Sequence, residues 1–100
     1  MCFHESMRID PPVTASTNFV FDKDAKLGNY MIKKGHPIGF FFWAIHHDPL
    51  EWQLHDQFIP ERFDPLSPYF LKPDGKKRNP FSFGPFFGGR RICLGKTFAE

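Results

Sequence analysis

Phe86-Phe87-Gly88-Gly89-Arg90-Arg91-Ile92-Cys93-Leu94-Gly95 sets one cysteine behind a glycine pair and two arginines. The stretch Leu94 to Glu100 reads as a helix start, so Cys93 stands near a helix N-terminus. Nearby cations and a helix N-terminus both favour a thiolate over a thiol. Glycines let the backbone come close to a flat ligand. No second cysteine or histidine lies nearby in sequence, which excludes a four-ligand zinc site. The residues alone leave two readings open for Cys93. It is a single axial ligand of haem iron, or it is a buried free cysteine packed as a small hydrophobe.

Upstream of this stretch, residues 48–85 carry Pro49, Pro60, Pro65, Pro68, Pro73, Pro80 and Pro85, a density that forbids a long helix or strand. Before it, residues 13–47 read as β. Phe19-Val20-Phe21 is a strand candidate, Gly28-Asn29 a turn, Tyr30-Met31-Ile32 a second strand, and Lys33-Lys34-Gly35 a tight turn. Ile38 to Ile45 is a near-continuous apolar run, which suits a buried strand with Phe40, Phe41, Phe42 and Trp43 as sheet core. Residues 1–9 read as the end of a helix stopped by Asp10-Pro11-Pro12, with Cys2 as a core position. Adjacent His46 and His47 on a strand point to opposite faces, so no shared metal site is expected.

The chain has 100 residues, with 13 Lys plus Arg against 11 Asp plus Glu and a net charge of +2. That length is one domain at most, or part of one. Fourteen Phe argue against disorder. No apolar run approaches the roughly 20 residues of a membrane span, no secretory signal opens the chain, and two cysteines make no disulfide scaffold. The charge is uneven. Residues 1–75 hold 7 basic and 10 acidic side chains, whereas residues 76–100 hold Lys76, Lys77, Arg78, Arg90, Arg91 and Lys96 against Glu100 alone. A basic end suits an anionic partner. Nucleic acid fits it poorly, since no recognised module or basic helix is present. Lys76, Lys77 and Arg78 by themselves read as a solvated loop.

Residues 86–95 also fit F-x-x-G-x-R-x-C-x-G, with Phe86, Gly89, Arg91, Cys93 and Gly95 in the fixed places. This resembles the haem-binding loop of the cytochrome P-450 family of haem-thiolate monooxygenases. Glu5-Ser6-Met7-Arg8 resembles the family's E-x-x-R motif, and Pro60-Glu61-Arg62-Phe63 its P-E-R-F element, in family order. Taken alone, E-x-x-R is usually a solvated i, i+3 pair. Trp52, Phe58 and His47-Asp48-Pro49 also stand where members often carry similar residues.

The resemblance covers nearly the whole chain and implies a fold class. Residues 1–100 would be a partial, C-terminal haem-binding domain of the mainly α (α+β) cytochrome P-450 fold. Its parts would be the end of a helix, a small sheet, a proline-rich meander, the cysteine loop and a helix start. The resemblance also implies haem as cofactor, with Cys93 as the iron ligand. Phe86 would pack near haem and sulfur, Arg91 would pair with a propionate, and Gly89 and Gly95 would shape the loop. Glu5, Arg8 and Arg62 would form a buried charged triad, whose cost in desolvation points to fold specificity more than stability. The implied reaction inserts one oxygen atom of dioxygen into a small organic substrate. Electrons would come from an acidic flavin reductase or ferredoxin docked on the basic proximal face.

The implied setting for a eukaryotic member is the endoplasmic reticulum membrane. Members often carry a cation a few positions after the two prolines, but here Thr14-Ala15-Ser16-Thr17-Asn18 has none. Thr14 to Phe19 would line one side of a substrate pocket. The family's oxygen-activating distal helix lies upstream of E-x-x-R and outside these residues, so no catalytic residue is expected here. The alternative is a truncated, inactive remnant of such an enzyme. In either case the 100 residues alone are expected to be inactive.

Overall fold

Helix α1 spans Cys2–Ile9 and ends where Asp10 donates its amide to the Ser6 carbonyl at 3.0 Å, just before Pro11 and Pro12. The computed structural model describes all residues, Met1–Glu100. Glu5 and Arg8, three apart on one face of α1, are the buried residues of this helix. Cys2 and Phe3 are exposed, which corrects the core assignment of Cys2. The charged face turns inward onto backbone carbonyls, the Ile59 amide, Arg62 and the Trp52 ring.

After the prolines, two small antiparallel pairs form. Strand β1 (Phe19–Val20) pairs with β4 (Pro37–Ile38), with Phe19 opposite Ile38. Strand β2 (Ala25–Leu27) pairs with β3 (Tyr30–Ile32), with Leu27 opposite Tyr30. The two-residue link Gly28-Asn29 makes this second pair a tight hairpin, and Gly28 takes the positive φ of 57° that the turn requires. Gly35 does the same at the Lys33-Lys34-Gly35 turn, with φ 79°.

The apolar run 38–45 is not one strand. Ile38 closes β4, the Ser16 amide donates to Phe40 O at 2.8 Å while the Phe40 amide donates to Ser16 Oγ at 2.8 Å, and Ala15 bridges Phe41. The chain then turns into helix α2, Phe42–His46. Phe42 and His46, four apart, share its buried face. Phe40, Phe41 and Trp43 are exposed and do not form a sheet core. An unbroken apolar run has no period that would separate strand from helix. Ile45 gives its amide to Phe41 O at 3.2 Å, so the run ends in a helical turn, and Trp43 ties that turn back to Thr14 O at 3.2 Å.

Residues 48–85 contain only short 3-10 turns, at Pro60–Phe63, Pro68–Phe70 and Pro80–Ser82. Each begins with proline, whose missing N–H costs nothing at a first helical position. Ser67 and Asn79 cap the second and third turns, accepting from Tyr69 N at 3.1 Å and Phe81 N at 3.0 Å. A fourth turn, Gly89–Arg91, precedes helix α3, Lys96–Ala99.

Eight residues are buried, and only Phe42 and Trp52 among them are large and apolar. The rest of the interior is mainly Glu5, Arg8, Arg62, His46 and Ser82. Leu94, just before α3, and Phe98 within it are 100% and 97% exposed. The radius of gyration is 15.3 Å, against about 13 Å for a compact domain of this length. The chain is therefore organised around a charged knot and an open aromatic surface, with little oily core.

Candidate functional site

The cysteine loop closes on itself. Cys93 gives its amide to Phe86 O at 2.8 Å, and Lys96 gives its amide to Cys93 O at 3.2 Å. Cys93 is a free cysteine, exposed in this chain. It lies on an open cleft of about 670 Å³ together with Arg91, Phe86, Phe42 and Val13. The expected lining segment, Thr14 to Phe19, contributes Ser16, Thr17, Asn18 and Phe19 to the same cleft. Arg91 is the one charged side chain there. The structure thus brings Cys93, Arg91 and Phe86 to one surface.

The loop's glycines do different things. Gly89 has a φ of 61°, where any side chain would be strained, and a Cβ there would meet no protein atom within 4 Å. Gly95 needs no unusual backbone angle, with φ −81°. A Cβ on it would meet Cys93 Sγ at 3.9 Å, so glycine keeps the sulfur uncovered on that side. Phe87 is a bulky residue in the left-handed region, with φ 62°. It is held there by stacking on Phe19, with centroids 5.4 Å apart, and by edge contacts to Phe40 and Phe42 at 5.6 and 5.7 Å.

Behind the loop lies the ion cluster. Glu5 accepts from Arg8 through both carboxylate oxygens, at 2.8 and 2.9 Å, and from Arg62 Nε at 3.1 Å. All three side chains are fully buried. Most of the remaining guanidinium hydrogens go to backbone carbonyls. Arg8 donates to His46, His55 and Gln57, and Arg62 donates to Gln53, Leu54 and Gln57. Burial pushes the Arg62 pKa down and Arg8 adds to this, while Glu5 opposes both.

Two residues of this region were not among the expected site residues. Arg78, expected in a solvated loop, is half-buried. It donates to Tyr69 O at 3.0 Å and Arg62 O at 2.5 Å and covers the Trp52 ring. His46 is fully buried, and its Nε2 accepts the Gly84 amide at 3.1 Å. Burial first, and then the positive charge of Arg8, lower its pKa to about 4. The i, i+4 spacing of Phe42 and His46 was the available signal for His46; Arg78 had none. His47 lies apart, stacked on Trp43 at 4.2 Å, because the histidine pair ends a helix and does not lie on a strand. No group of three or more His, Cys, Asp or Glu side chains is placed to hold a metal ion.

Basic groups at the end of the chain are partly spent. Lys76 pairs with Asp74 at 3.6 Å and Lys96 with Glu100 at 3.8 Å. Lys77, Arg90 and Arg91 make no ion pair.

Comparison with known proteins is consistent across sequence and structure. The family model described as cytochrome P-450 matches residues 1–100. The chain is 36% identical over 99 residues to cytochrome P-450 4A12 of Rattus norvegicus, covering 99% of this chain and 18% of that protein. It is 39% identical over 99 residues to the steroid 17-alpha-hydroxylase/17,20 lyase of Squalus acanthias, covering 97% of this chain and 18% of that protein. Among solved structures, a cyanobacterial cytochrome P-450 with bound retinoic acid superposes with a TM-score of 0.82 at 32% identity, covering 98% of this chain and 21% of that one. A zebrafish cytochrome P-450 with progesterone gives 0.75 at 36% identity, covering 95% and 19%. The chain therefore spans about a fifth of the length of the proteins it matches.

Proposed function

Because this chain belongs to the cytochrome P-450 family, we propose that it forms the cysteine-bearing side of a haem-thiolate monooxygenase. The observation that carries the reading is the cleft that joins an exposed Cys93, the cation Arg91 and a wall of aromatic rings. A flat, largely apolar macrocycle with anionic arms fits those groups. A lone sulfur would hold haem iron through a single bond, and the empty space beside Gly89 leaves room for close approach.

Bound there, haem would supply the activation of dioxygen, with one oxygen atom entering an organic substrate and the other reduced to water. The chain's own residues do the rest. Cys93 presents the thiolate, and Arg91 neutralises a carboxylate at the rim. Phe86, on the same cleft, would pack near the haem and the sulfur, and Gly89 and Gly95 keep the backbone and sulfur accessible. Glu5, Arg8 and Arg62 hold the segment under the loop in register. Ser16, Thr17, Asn18 and Val13 offer a mixed surface to a small, mainly apolar organic substrate.

Lys77 and Arg90 leave unpaired positive charge for an acidic flavin reductase or ferredoxin, since complementary charge steers encounter. If the whole protein is a eukaryotic family member, the endoplasmic reticulum membrane would be its location; no helix of this chain is long and apolar enough to cross a membrane. With two large apolar residues buried, the 100 residues alone would not sustain turnover.

The test is the ferrous carbon-monoxide spectrum of the haem-loaded protein carrying this region, with and without Cys93→Ala. A thiolate-type Soret band lost in Cys93→Ala, together with reductase-driven oxidation lost in the same variant, supports the reading. A band unchanged by the substitution removes Cys93 as ligand.

A further inference from the structure

We propose that His46 is a positioning residue for the cysteine loop: by accepting the Gly84 amide hydrogen it ties the backbone entering that loop to the buried ion cluster. The proposal rests on Cys93 being the iron ligand.

One residue makes both ends of the tie. The backbone carbonyl of His46 accepts from Arg8 Nη1 at 2.9 Å, and its ring Nε2 accepts from Gly84 N at 3.1 Å. From Gly84 the connection continues through backbone bonds. Gly84 O accepts from Phe87 N at 3.0 Å, and Phe86 O accepts from Cys93 N at 2.8 Å. The ring is clamped against Phe83, with centroids 5.3 Å apart, and against Phe42 at 6.3 Å, and Phe42 itself borders the Cys93 cleft. A shift of Gly84 therefore moves the start of the loop, and with it the sulfur.

Packing alone does not account for a histidine here. An Nε2 that accepts must leave its hydrogen on Nδ1, and Nδ1 is buried without a partner. A buried orphan polar atom is costly, and a leucine or phenylalanine would fill the space without it. What histidine adds is the acceptor facing Gly84. That acceptor exists only in the neutral ring, because a protonated ring would turn a donor toward the Gly84 N–H.

The charged and titratable neighbours keep the ring neutral. From α1 it faces Arg8, whose partner Glu5 is already shared with Arg62, and His4 lies beyond Phe83. From α2 it faces His47. The segment Pro80–Gly84 brings no ionisable side chain. Burial, Arg8 and His47 act against protonation, and the Met7 and Arg8 backbone groups oppose them more weakly.

The test compares haem-loaded wild type, His46→Leu and His46→Gln. The readouts are the ferrous carbon-monoxide Soret band and the rate of haem transfer to an apo-haem acceptor. In His46→Leu part of the thiolate-type band is lost and haem leaves roughly fivefold faster, the effect of one lost buried hydrogen bond. The Gln carboxamide oxygen can accept from Gly84, so His46→Gln restores both. A wild-type spectrum and release rate in His46→Leu overturn the proposal, as does a Gln variant that behaves like Leu. If His46→Leu yields no folded holoenzyme, acid titration decides. Wild type loses the band as pH falls toward 4 while His46→Gln keeps it; parallel loss in both overturns the proposal. Absence of a thiolate-type band in wild type is a different result: it removes the Cys93 assignment itself, and the positioning role with it.

Discussion

The guanidinium of Arg78 lies over the indole of Trp52, its central carbon 4.4 Å from the ring centroid. Arg8 approaches the same ring at 5.3 Å, and the indole is 1% exposed. Arg78 also donates to Tyr69 O and Arg62 O, so it seals the one large apolar side chain buried behind the ion cluster. Arg78→Ala should cost about 2–3 kcal/mol, from the lost cation–π contact and two carbonyls left unpaired. Arg78→Lys should recover only part of this, since an ammonium cannot fork to two carbonyls while stacking on a ring. Denaturant unfolding of the intact protein measures both, and an equal stability for Lys and Arg would refute the role of the fork.

Glu5 is the one carboxylate among the buried arginines. Its Oε1 accepts from Arg8, Arg62 and the Ile59 amide. Glu5→Gln removes the charge but keeps the shape, leaving the Arg8 and Arg62 cations uncompensated. The expected cost is about 3–5 kcal/mol. Replacing Glu5, Arg8 and Arg62 together by apolar residues should cost much less than the summed single changes, because the charges then disappear in company. Additive losses across this set would show that the cluster is not one electrostatic unit.

Phe87 sets ring packing against backbone strain. Its φ of 62° suits glycine, whereas its ring meets Phe19, Phe40 and Phe42. Phe87→Ala loses the rings and keeps the strain. Phe87→Gly loses the rings and relieves it. The Gly variant should therefore be the more stable of the two by about 1 kcal/mol, which paired thermal melts of the holoprotein will resolve. The reverse order would mean that the loop does not hold this backbone angle.

Stability should fall on the acid side through His46. In the unfolded chain it titrates near 6.5, and in the fold near 4. Between those values the unfolded state binds the extra proton, so stability rises with pH. The contribution is complete above about pH 6.5 and lost as pH falls through about 4, and it amounts to about 3 kcal/mol at most. Unfolding free energy measured from pH 7 to 4 should show this slope in wild type. His46→Gln should flatten it, and an unaltered slope would assign the acid sensitivity elsewhere.

Short-range patterns were readable from the residues. The spacing in 86–95 marked the cysteine loop, and Gly28-Asn29 marked the β2–β3 hairpin that forms there. Glu5, Arg8 and Arg62 could be linked only through their motifs, because Arg62 stands 57 positions from Glu5. Three features were hidden for physical reasons. Helix α2 sits in an apolar run with no period. Arg78 follows two lysines and looks solvated, yet the carbonyls that hold it belong to Arg62 and Tyr69, 16 and 9 positions away. Cys2 lies on the outward face of a helix that buries its charges, so hydrophobicity pointed the wrong way.

The distance between Glu5 and Arg62 also sets a clock on biosynthesis. At ribosomal rates of about 5–20 residues per second, roughly 3–11 s separate the appearance of the two residues. Arg8 arrives almost with Glu5 and can pair with it at once, but Arg62, with its carbonyl acceptors at Gln53 and Leu54, comes late. During that interval the nascent chain holds a half-made ion cluster that water still solvates. The cluster therefore dehydrates only after the meander has been made, and Cys93, later still, is offered to its surroundings by a chain whose foundation has just closed.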